Sequence, residues 1–82
     1  MNAWEIRNGQ LIEYIKLHLI SLMQDLEKLE NQMEQLDMNS KDYRELDFEF
    51  NHVSGQILAT RHILSVASDI FGVELEEDNV HN

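Results

Sequence analysis

The side chains best suited to chemistry are four histidines and sixteen carboxylates; the chain has no cysteine. His18, His52, His62 and His81 never recur at i, i+4, the spacing that sets two imidazoles side by side on a helix for a metal. Glu49 and His52 form the one Glu-x-x-His pair, the i, i+3 unit of di-iron helical bundles. That chemistry needs two such pairs and inward-facing partner carboxylates, so a symmetric dimer would have to double the single copy. Across an antiparallel pair of helices His18 and His62 could come near one another, with Glu13 or Asp69 as further ligands. Histidines on helix surfaces are usually only that, and a neutral ring is tolerated at a bundle seam. No metal and no cofactor are expected.

Catalytic signals are equally sparse. A glycine-rich phosphate loop, HExxH, GxSxG and EF-hand spacing are all missing from the sequence. Lack of cysteine removes the thiolate nucleophile, the disulfide framework and the cysteine-ligated zinc site together. Carboxylates on amphipathic helices fall on the solvent side, whereas general acid–base work needs burial or a close like-charge pair in a cleft. The chain reads as a non-enzyme.

The elements that carry these residues are legible from apolar spacing. Ile12, Ile15, Leu19, Leu22, Leu26, Leu29, Met33 and Leu36 alternate steps of three and four, a heptad seam that only a helix produces. Asn2 with Glu5 resembles a capping box, which starts this helix near residue 3 unless Asn8-Gly9 interrupts it. Asp37-Met38-Asn39-Ser40 then reads as a tight turn, with Asn tolerating the left-handed conformation and Ser40 as N-cap of the next helix. A second seam follows at Tyr43, Leu46, Phe50, Val53, Ile57, Thr60, Leu64, Ala67 and Phe71, and Gly72 is a natural stop. The expected architecture is all-α: helices over about residues 3–37 and 41–71 form a coiled-coil hairpin roughly 45 Å long. Residues 73–82 carry four acids and no Lys or Arg and read as an acidic, flexible tail.

Two helices bury one stripe each, which rarely stabilises a chain of 82 residues. A further stripe on the second helix, Phe48, His52, Gly55, Ala59, Ile63, Val66 and Ile70, lies behind its seam, and Ile6, Tyr14, Leu17 and Ile20 do so on the first. The expected use is a homodimeric four-helix bundle with Tyr14, Leu17, Ile20, Gly55, Ala59, Ile63, Val66 and Ile70 at the interface. Docking of a different protein there, or a fold-back of the tail through Val73, Leu75 and Val80, are the alternatives. Phe48, set among acids, is either buried in such an oligomer or an aromatic anchor for a partner.

Charge completes the picture. The formal net charge is −10, which argues against direct nucleic-acid binding, since that needs a basic face. From Asp25 to Glu49 nine acids stand against three bases, so the turn end is acidic while, the tail aside, the open end is neutral and apolar. Glu27, Glu30, Glu34, Asp37, Asp42, Glu45, Asp47 and Glu49 are the candidate partner-binding acids. They suit an inhibitor or regulator of a nucleic-acid-acting protein, with carboxylates replacing phosphates in a basic groove. Small acidic proteins of phages and mobile elements work in this way, which is analogy alone. The alternative is an assembly or adaptor module that uses its apolar open end, its acidity serving only solubility. No window of the chain spans a membrane, and Met1-Asn2-Ala3-Trp4-Glu5 lacks the basic stretch and apolar run of a signal peptide, so a cytoplasmic location is expected.

Overall fold

The computed structural model describes residues 3–72, which form two helices packed against each other: α1 (Ala3–Met33) and α2 (Lys41–Phe71). The fold is an all-α antiparallel hairpin. The expected capping box at Asn2, the acidic tail, His81 and the tail fold-back lie outside the described residues. Among those residues no helix is long and apolar enough to cross a membrane.

Helix α1 runs through Asn8-Gly9 without a break. It ends at Met33, four residues short of the expected position. Glu34 N still donates to the Glu30 carbonyl at 3.0 Å, but Gln35 N and Leu36 N then bond to Gln32 and Met33 at 3.2 and 3.1 Å, tightening the chain into i→i−3 turns. Asp37 accounts for the rest. Its Oδ1 accepts from Asn39 N at 2.9 Å, and its carbonyl accepts from both Ser40 N at 2.9 Å and Ser40 Oγ at 2.7 Å. An aspartate that satisfies local backbone in this way competes with the helix. Among the described residues no non-glycine has positive φ, so Asn39 does not take the left-handed conformation; the Asp37 carboxylate closes the turn instead.

Ser40 caps α2 as expected. Its backbone is extended, with φ −76° and ψ 155°, and its Oγ accepts from Tyr43 N at 3.1 Å. At the other end Gly72 takes φ 70° and donates its N–H to the Ser68 carbonyl. A left-handed stop of this kind favours glycine because a side chain would be strained there.

Both seams pack as the heptads require. Every seam position from Ile12 to Leu36 and from Tyr43 to Phe71 is buried or half-buried. Among the described residues, full burial of apolar side chains is confined to the middle of the hairpin, in Ile12, Ile15, Leu19, Leu22, Val53, Ile57 and Leu64, with Leu64 only 1% exposed. Leu26, Leu29, Ala67 and Phe71 pack around this cluster as partly buried neighbours. The polar seam residue Thr60 is accommodated because its Oγ1 donates back to the Gln56 carbonyl at 2.7 Å. The core is thus narrow, and it thins toward the turn.

Candidate interaction surfaces

Heptad position decides which exposed side chains share a face. In an antiparallel hairpin the residues just after the d positions of both helices flank one side of the seam, and those just before the a positions flank the other. The structure bears this out on the first side. Met23, Glu27 and Glu30 of α1 line an open groove of ≈ 370 Å³ with Ser54, Leu58 and Arg61 of α2, over a floor of Leu26 and Ile57. By the same spacing Trp4, Leu11, Tyr14 and His18 of α1 share the second side with Gln56, Ala59, Ile63, Val66 and Ile70 of α2.

The expected interface residues therefore divide. Tyr14, Ala59, Ile63, Val66 and Ile70 fall together on the second side, where Trp4 and Leu11 join them; a stripe directly behind the seam does not include these two. Ile20 lies on the groove side beside Met23 and Leu58. Leu17 and Gly55 lie on the outward backs of their helices. All eight are exposed in the single chain, and a Cβ built on Gly55 would meet nothing within 4 Å. Within one hairpin, close helix approach is therefore not the reason for a glycine at this position.

Phe48 is 76% exposed and also points away from the seam, on the back of α2 near the turn. The eight candidate acids, Glu27, Glu30, Glu34, Asp37, Asp42, Glu45, Asp47 and Glu49, are all exposed, and they surround the turn end on both sides of the seam. Glu45 meets Lys41 at 3.8 Å, with both side chains largely in solvent, a contact worth little. Asp37 is engaged by the turn through Asn39 N. On α1, Glu27, Glu30 and Glu34 follow one another at three- and four-residue steps, about 5–6 Å apart at Cβ, an arrangement that costs helix stability through like-charge repulsion.

The residues considered for metal chemistry do not gather into one site. His18 stacks on Tyr14, with ring centroids 6.4 Å apart and planes 1° from parallel. His62 is exposed on the back of α2, facing away from His18. Glu49 and His52 are both in solvent. Among the described residues no three His, Asp or Glu side chains come together as a ligand set.

Among the described residues one buried side-chain polar atom lacks a partner: Ser68 Oγ, in a residue only 4% exposed, makes no hydrogen bond. The surface of the described chain thus has three parts: an acidic turn end, an acid-free apolar side at the open end, and a mixed groove opposite it. These features belong to an all-α helical hairpin. The chain matches no family model, no curated protein and no solved structure.

Proposed function

We propose that this chain is a non-catalytic binding protein whose acidic turn end docks on a basic protein surface, where it competes with nucleic acid, and that it acts as a dimeric four-helix bundle. The observation carrying this reading is the set of eight exposed carboxylates around one end of a helical hairpin. Carboxylates held on helices are pre-positioned, so docking them orders little that was free. Complementary charge speeds encounter with a basic groove, and the same groove attracts phosphates. The natural target class is a nuclease, polymerase or repressor, which the bound hairpin inhibits or regulates.

The apolar side at the open end favours a second reading, an assembly module that grips another protein there. One experiment separates them. The partner recovered from the native organism is challenged with nucleic acid, salt and charge-reversed hairpin. Release by nucleic acid and by Glu30→Lys or Glu34→Lys supports the mimic. Retention under all three, with loss on Ile63→Glu, overturns it in favour of the assembly module.

A further inference from the structure

The side of the hairpin carrying Trp4, Leu11, Tyr14, Ile63, Val66 and Ile70 is exposed, with these side chains between 42% (Val66) and 71% (Ile70) accessible. In a chain of net charge −10 this side holds no acid from Trp4 to Ser21 or from Gln56 to Ile70; Arg7 is its only charge. Further along the same side, toward the turn, stand Asp25, Asp42, Glu45 and Glu49, with Lys28 as the one base among them, a net charge of −3.

We infer that this acid-free half is the contact between two copies of the chain, joined by a two-fold axis across the helices so that the acidic turns point in opposite directions. This inference rests on the dimer proposed above and adds its face and its orientation. A second copy fits because the patch is self-complementary, as an isologous interface requires. A basic partner would be drawn to the turn end instead. The alternative two-fold, along the helices, buries the same apolar residues but stacks the four turn-side acids of one copy on those of the other. Like-charge juxtaposition of that kind is costly. With the turns apart, only the open halves overlap. The six side chains alone offer on the order of 600 Å² per copy, approaching the ~800 Å² per partner of a standard interface before Ala59, His18 and Gln56 are added. The dimer is then an elongated body with a four-helix centre and an acidic pole at each end, able to engage two basic surfaces at once.

The test uses the chain of 82 residues, in which a single introduced cysteine is unique. Sedimentation is run on wild type, Ile63→Glu and Leu17→Glu, with helix content checked by circular dichroism, and distances are measured between spin labels on Asn39→Cys. The expected result is a wild-type dimer, a Leu17→Glu dimer, and a dissociation constant raised roughly thirtyfold or more by Ile63→Glu. The labels, remote from the contact, should lie beyond about 50 Å, since each helix is about 46 Å long. A wild-type chain that stays monomeric at ~100 μM overturns the pairing itself. A dimer lost through Leu17→Glu and kept by Ile63→Glu overturns the face. Labels within ~30 Å overturn the orientation and leave the pairing standing, a result that does not depend on how Ile63→Glu folds.

Discussion

Trp4, in the first turn of α1, meets Phe71, the last residue of α2, edge to face, with ring centroids 6.1 Å apart and planes at 89°. The contact ties the start of the first helix to the end of the second, at the end of the hairpin where no turn holds the chain. Aromatic pairs in this geometry contribute about 0.5–1.5 kcal/mol beyond area burial. A double-mutant cycle through Trp4→Ala and Phe71→Ala should return a coupling in that range. Trp4 is the sole tryptophan, so its emission should shift to the red in Phe71→Ala. A coupling near zero in equilibrium unfolding would show that the open end frays.

The uneven core makes a graded prediction. Leu64→Ala should cost about 2–5 kcal/mol, the range for a leucine deleted from a close-packed interior. Leu29→Ala, at a half-buried seam position nearer the turn, should cost under about 2 kcal/mol because the site keeps part of its contact with water. Urea unfolding of the two variants decides the matter. Equal costs would mean that the seam is uniformly packed along its length.

Heptad spacing alone located the apolar seam residues, because a period of seven fixes the inward face whatever the partner; it passed over Ser68, which is buried at the flank of the seam. The caps at Ser40 and Gly72 were equally legible, being local chemistry. The end of α1 was not. Leu36 remains in register and half-buried although it lies past the helix, so apolar spacing cannot tell a last helical turn from a loop that still packs. The competing hydrogen bonds of Asp37 decide that boundary. Grouping of the exposed apolar residues also went astray. A stripe sought directly behind each seam mixes the outward back with both flanks, and it passes over Trp4 and Leu11, which flank the seam. Only the pairing of like flanks in an antiparallel hairpin separates Ile63 and Tyr14 from Ile20 and Leu17.

Two serines should respond in opposite senses. Ser40→Ala removes the hydroxyl that accepts from Tyr43 N and should cost about 1 kcal/mol. Ser68→Ala removes a buried hydroxyl without a partner and places a better helix former in α2. Leaving such a group unpaired costs about 1–3 kcal/mol, so this variant should be more stable than wild type by about 1 kcal/mol. Thermal unfolding of the pair checks both signs. A destabilised Ser68→Ala would reveal a hydrogen bond made in the assembled protein.

Charge reversal at the turn end tests the proposed mode of action. Glu30 and Glu34 of α1 and Asp42 and Glu45 of α2 are exposed, so changing them to lysine leaves the seam intact, and the melting temperature should hold. Reversing Glu30 or Glu34 also breaks a run of like charges along α1, which should stabilise the helix by a few tenths of a kcal/mol. Binding should behave differently. Where carboxylates steer the hairpin onto a basic groove, each reversal slows association far more than it speeds dissociation. The effect should shrink as salt rises, because screening shortens to about 8 Å at physiological ionic strength. Stopped-flow association at two salt concentrations gives the reading. Rates that ignore both salt and reversal, beside an affinity that collapses in Ile63→Glu, would move the binding site from the acidic turn to the apolar open end.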